Sequence, residues 1–278
     1  MRLGAPVYGD SSTPENWVAS VKAKSYSAAY CPVDRKADDS TVKAYADAAA
    51  KANIVIAEVG AWSNPMHKEE SARKKALEFC QAQLDLADRI GARCCVNISG
   101  SRGEPWDGPD PLNLTQGTFD LIVETTRSII DAVKPTRTFY SLETMPWMYP
   151  DSADSYLALV NAIDRPAFAV HLDPTNLICS PQRYYGNGEI VRECFEKFGP
   201  HIRSCHGKDI LLQPRLMTHL DEVPAGKGNL DYRVFLRELN KLEPDAPLML
   251  EHLAKEEEYD AAAAHVRSVA EAEGLKFV

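Results

Sequence analysis

Glu143, Asp173, His206 and Glu251 follow one another at intervals of 30, 33 and 45 residues, each at the end of a short apolar run. Three carboxylates gathered at one point would repel one another and lose their hydration. A divalent cation removes both costs. Oxygen donors with one imidazole and no thiolate suit Mn²⁺, Mg²⁺ or Co²⁺ rather than a structural zinc site. A lone Glu or His at a strand end is usually a hydrogen-bonded structural group, but four in succession point to one centre. The expectation is therefore a single metal held by Glu143, Asp173, His206 and Glu251.

Such convergence needs four neighbouring strand ends, and the chain supplies the elements. Apolar runs alternate with segments of helical period about eight times. The expected strands are "RLGAPVY", "SAAYCPV", "NIVIAEVG", "RCCVNISG", "TFYSLETM", "FAVHLDP", "IRSCHGKD" and "PLMLEHL". Segments such as "TVKAYADAAAKAN" and "TFDLIVETTRSIIDAVK" between them repeat apolar residues every three or four positions. Thr13-Pro14-Glu15 and Asp151-Ser152 read as helix starts, and Gly91 and Gly199 as helix stops. A doubly wound sheet would place a glycine-rich phosphate loop after its first strand, yet "VYGDSSTPEN" has one glycine. The pattern predicts one α/β domain over residues 1–278, an eight-stranded (β/α)8 TIM barrel whose site lies at the C-terminal strand ends.

Composition narrows the partners. At 278 residues and 45% hydrophobic the chain can bury a large core, and its formal charge of −9 argues against a nucleic-acid backbone as ligand. "MRLGAPVYGD" reads as neither signal peptide nor anchor, so no membrane partner is expected. The seven cysteines form no CxxC pair and read as buried, reduced thiols of a cytoplasmic protein. A small, neutral molecule fits best as partner.

The motifs "SLETMPW", "VHLDPTN", "SCHGKD" and "PAGKGNLDYRVFLRELNKLEPDAPLMLEHL" resemble the xylose isomerase-like barrel superfamily of sugar isomerases and epimerases. Its relatives include ketose 3-epimerases, hydroxypyruvate isomerase, inosose dehydratase and, more distantly, endonuclease IV. The resemblance implies the same four metal ligands, with Mn²⁺ foremost and Mg²⁺ or Co²⁺ as alternatives. It also implies catalytic roles for Glu143 and Glu251 as base and acid. A carbonyl and neighbouring hydroxyl of a keto sugar or polyol would chelate the ion, acidifying the C–H between them toward an enediolate. Returning the proton to the other face epimerises the sugar; returning it to the next carbon isomerises it. A small carbohydrate substrate and a homo-oligomeric state are implied likewise.

Around this core the sequence departs from the free-ketose 3-epimerases. Asn176 stands where they have a histidine, Tyr149 where they have a second glutamate, and Leu212 where they have the substrate arginine, the nearest arginine being Arg215. The alternative is a lyase or dehydratase expelling water or an aglycone from an oxidised glycoside, C-glycosides included. A phosphodiesterase of the endonuclease IV kind and a non-catalytic sugar-binding barrel rank lower. Candidate substrate contacts are Glu58, Trp62, Trp106, Trp147, His171, Asn176, Lys208, Asp209 and Arg215. Aromatic faces suit sugar C–H faces, although loop tryptophans also serve as packing anchors. Glu58 reads equally as a buried structural group, His171 more readily as a satisfied core histidine, and Lys208 either meets substrate or pairs with Asp209. Arg183 and His219 lie in long loops near the expected rim.

Overall fold

A computed structural model describes residues 1–278. Eight parallel strands, each followed by helical structure, make a nearly closed barrel. In chain order they are β1 (Arg2–Gly4), β2 (Ala28–Tyr30), β3 (Val55–Gly60), β4 (Cys94–Asn97), β5 (Tyr140–Glu143), β6 (Phe168–Leu172), β7 (Ile202–Gly207) and, after a hairpin of β8 (Asp209–Leu212) and β9 (Leu220–Val223), β10 (Pro247–Leu250). Their order around the sheet is β1-β10-β7-β6-β5-β4-β3-β2. β5, β6, β7 and β10 are thus adjacent, the arrangement that the spacing of the four site residues requires.

Between the open edges, Ser27 N donates to Leu3 O at 3.0 Å. A Cβ at Gly4 would lie 2.4 Å from Ala28 O and 2.6 Å from Met249 Sδ, so only glycine lets β1 approach this closely.

The helices follow local rules. Thr13 Oγ1 accepts from Asn16 N ahead of α1 (Pro14–Ala23), and Ser152 with Ser155 forms a capping box at α5 (Ala153–Ile163). Gly91 ends α3 (Glu70–Ile90) in the left-handed region at φ 76°. Gly199 differs: it stays right-handed at φ −44°, and α7 (Asn187–Phe198) tightens into a 3-10 turn over Gly199–His201. α2 (Asp39–Lys51), α4 (Gln116–Val133), α6 (Pro181–Tyr185), α8 (Tyr232–Leu239) and α9 (Glu256–Ala272) complete the set. Their apolar stripes and the outward faces of the strands form one core that includes Trp17, Leu84, Tyr156, Phe198 and Phe235.

All the cysteines are free, and Cys80, Cys94, Cys95, Cys194 and Cys205 are buried. Cys179 corrects the expectation of uniformly buried thiols, because it is exposed on the loop between β6 and α6. Burial pushes the thiols of Cys94 and Cys194 up to about 12 and Cys31 up to about 11. An aromatic disulfide reagent should therefore titrate one thiol rapidly in the native protein and all seven after denaturation. Fast reaction of several native thiols would contradict this packing.

Candidate metal and substrate site

Ligand atoms of Glu143, Asp173, His206 and Glu251 all lie within 4.8 Å of one another at the C-terminal end of the barrel. Glu143 is the last residue of β5, Asp173 and Glu251 stand one residue beyond β6 and β10, and His206 lies within β7. Strand alternation supplies the aim. Ser204, His206 and Lys208 occupy every second position and so share the inner face of the barrel, as do His171 and Asp173.

Beneath the cluster, Glu58 is 1% exposed and fully engaged. Its Oε1 accepts from Ser204 Oγ at 2.8 Å and lies 3.4 Å from His171 Nε2, while Oε2 lies 3.2 Å from His206 Nε2. A carboxylate on Nε2 holds the imidazole in one orientation and turns Nδ1 toward the cluster. Nδ1 then lies 3.1 Å from Glu143 Oε1 and 2.9 Å from Glu251 Oε1. Burial alone would neutralise these groups, but their mutual charges reverse its effect: Glu58, Glu143 and Glu251 are held below the usual carboxylate range, and His206 well above the usual imidazole range.

Lys208 completes the cluster. Its Nζ lies 2.7 Å from both Asp173 Oδ2 and Glu251 Oε1, 3.8 Å from Glu143 Oε1 and 3.5 Å from Glu222 Oε2. Those carboxylates keep the ammonium protonated despite its burial. Burial pushes Asp173 up to about 6, with Lys208 opposing it and the neighbouring glutamates adding to it. Asp173 Oδ2 and Glu251 Oε1 are buried and accept no well-directed hydrogen bond, although the charged Lys208 is near both. Two hard, anionic oxygens left with only an ionic partner suit a divalent ion.

The cluster opens into a cavity of about 540 Å³ lined by Tyr30, Trp62, Trp106, Trp147, Asn176 and Glu222 among others. The xylose isomerase-like TIM barrel model matches residues 22–269. The chain belongs to the xylose isomerase-like TIM barrel family. Solved structures of similar fold include D-psicose 3-epimerase with D-tagatose from Clostridium cellulolyticum (13% identity, covering 99% of this chain and 100% of that one, TM-score 0.69). Another is the probable 3-DHS dehydratase AsbF of Bacillus anthracis (16% identity, 92% and 93% covered, TM-score 0.68). A third is a xylose isomerase-like TIM barrel protein from Mycobacterium smegmatis in complex with magnesium (16% identity, 94% and 90% covered, TM-score 0.66). No curated protein sequence matches the chain. No helix is long and apolar enough to cross a membrane.

Within this xylose isomerase-like barrel, the remaining expected contacts divide. Trp62, Trp106, Trp147, Asn176 and Lys208 line the cavity, and Asn176 Nδ2 donates to Glu143 Oε1 at 3.1 Å. Glu58 and His171 are corrections. Both are buried below the cavity floor, Glu58 shared among Ser204, His171 and His206 and the His171 ring packed edge-on against that of His206, so neither lines the cavity. Asp209 is a third correction. It points away from Lys208 and accepts from the main-chain N–H groups of Ile210, Gly226 and Leu230 at 2.8–2.9 Å, tying down the hairpin and the loop behind it. Arg215 is exposed at the hairpin tip and lines no part of the cavity. Arg183 donates to Leu177 O at 2.8 Å and caps a turn.

Several lining residues escaped the sequence reading. Tyr30 ends β2 and obeys the same strand-end rule as the others, so a signal existed. His252 follows Glu251 directly and adopts φ 60°, a sharp left-handed turn that keeps consecutive residues on the cavity wall. Glu222 lies on β9, within a segment that reads as loop, and contacts His252 Nδ1 at 3.1 Å.

Proposed function

We propose that the protein is a divalent-metal-dependent sugar isomerase or epimerase acting next to the carbonyl of a keto sugar or related polyol. The observation that supports this most directly is the convergence of Glu143, Asp173, His206 and Glu251, with buried carboxylate oxygens whose near partners are only ionic, at the floor of an open cavity. These four residues would hold the ion, with Mn²⁺, Mg²⁺ or Co²⁺ suited to the donors. When bound, the ion supplies Lewis-acid polarisation of the carbonyl.

The chain's own groups do the rest. One of Glu143 and Glu251, both held below the usual carboxylate range by their cationic neighbours, takes the proton from the carbon beside the carbonyl. The same carboxyl returns it to the next carbon in an isomerase, whereas in an epimerase the other carboxyl, having first taken a proton from solvent, delivers it to the opposite face. Asn176 fixes the Glu143 carboxylate by its 3.1 Å hydrogen bond. Lys208 offers a cationic donor to a developing oxyanion from the cavity floor. Glu58 keeps His206 in register.

A second reading, elimination of water or an aglycone, draws on His252. Its hydrogen bond to Glu222 raises its pKa, and it lies on the cavity wall, where an acid for a leaving group would stand. Incubating ketoses, inososes and 3-keto-glycosides with protein and Mn²⁺ or Mg²⁺ in D₂O separates the two. Deuterium entering beside the carbonyl with no group lost supports isomerase or epimerase chemistry, and loss of water or aglycone supports the lyase. The absence of exchange with every substrate, or failure to load about one divalent ion per chain, would refute the proposal.

A further inference from the structure

The cavity is divided by chemistry in a way that follows the strand order. The loops after β6, β7 and β10 contribute Asn176, Lys208, Glu222, Glu251 and His252, and Glu143 ends the adjoining β5. The loops after β3, β4 and β5, also neighbours in the sheet, contribute Trp62, Ile98, Trp106, Met145, Pro146 and Trp147, with Asp107 the one charged side chain among them.

The three indoles are 42%, 38% and 40% exposed, and none packs against another aromatic ring. The structure nevertheless fixes where two of them, Trp62 and Trp147, lie. A Cβ at Gly60 would fall 2.4 Å from Trp62 Nε1, so the missing side chain at the end of β3 gives that ring its place. Trp147 Nε1 donates to Asp107 O at 2.7 Å, which joins the β5 loop to the β4 loop that carries Trp106 and spends the indole's only donor on the protein.

A free monosaccharide carries hydroxyls on every side. One stacked tryptophan satisfies its C–H face, but a half-cavity of three indoles, Ile98, Met145 and Pro146 offers such hydroxyls few partners. Extended apolar walls held ready in this way suit a planar apolar group. Accepting the reading of the polar half as the place where a keto sugar reacts, we propose that the substrate is a glycoside whose aromatic aglycone lies against Trp62, Trp106 and Trp147.

The test compares 4-nitrophenyl and methyl glycosides of glucose, galactose and xylose, each as parent and 3-keto forms, by calorimetry on the Mg²⁺-loaded protein. For the preferred sugar, the nitrophenyl glycoside should bind at least about tenfold more tightly than its methyl counterpart. Trp62→Ala and Trp106→Ala should each lower nitrophenyl affinity by about threefold or more while changing methyl affinity less than about twofold, and Trp62→Phe should retain most of the preference. Equal affinities, no binding of any nitrophenyl glycoside, or a preference untouched by both alanine variants would overturn the proposal. Deuterium exchange on the same compounds keeps the two readings apart. Nitrophenyl preference without exchange refutes only the proposed chemistry, and exchange on a free ketose without nitrophenyl preference refutes only the aromatic subsite.

Discussion

Glu143→Gln and Glu251→Gln are each expected to lower solvent deuterium exchange by about 10²–10⁴-fold at saturating metal, the usual contribution of a positioned acid or base. Glutamine keeps the shape and the acceptor oxygen, so Asn176 can still donate to residue 143. What is lost is the ability to accept a proton and a unit of negative charge facing His206 and Lys208. The two variants should differ in their side effects. Glu251 is 2.7 Å from Lys208 and 2.9 Å from His206, whereas Glu143 is 3.8 Å and 3.1 Å from the same groups. Glu251→Gln should therefore cost more stability, within the range of about 3–5 kcal/mol for breaking a buried ion pair. Exchange followed by NMR, metal content and thermal unfolding together check this. Turnover within tenfold of the parent protein, with metal bound, would remove both residues from their proposed roles.

The strand ends were legible in the sequence because a parallel barrel leaves few choices. Buried strands read as apolar runs, the site must lie at their C-terminal ends, and a charged residue there is conspicuous. That logic brings Glu143, Asp173, His206 and Glu251 into one place. It is weaker one layer out. In "SCHGKD", alternation alone puts Lys208 on the face of His206 and Asp209 on the other, which excludes their pairing, but only if the extended backbone continues past Gly207. Asp209 instead serves the β8–β9 hairpin, an element with no clear apolar alternation: Asp221 and Glu222 are exposed, and its tip carries the exposed Leu216 and Met217. Because that hairpin was unread, so was Glu222. Glu58 shows the opposite limit. A carboxylate in "VIAEVG" announces burial with a partner, but the partners, Ser204, His171 and His206, come from strands more than a hundred residues away.

Lys208→Met should weaken the protein freed of metal by chelation and strengthen its hold on a divalent ion. The ammonium is buried among four carboxylates and touches Asp173 Oδ2 and Glu251 Oε1, two of the oxygens proposed as metal ligands. Ammonium and divalent cation thus compete for the same lone pairs, and their charges repel at short range. Methionine fills a similar volume without charge. Without the lysine, the three buried carboxylates are left with His206 as their nearest cation, and the chelated protein should lose about 3–5 kcal/mol. At roughly 2–4 °C per kcal/mol for a domain approaching this size, its Tm should fall by about 6–20 °C. Metal should restore most of that loss, because a ligand bound only by the folded state stabilises in proportion to the logarithm of its concentration over Kd. Titration with Mn²⁺ or Mg²⁺ should show at least a tenfold lower Kd in the variant than in the parent protein. Lys208→Arg, which keeps the charge, should leave the affinity near that of the parent. Unchanged metal binding in Lys208→Met would show that the lysine and the ion do not compete, and weaker binding that the lysine assists the ion; either would overturn the competition.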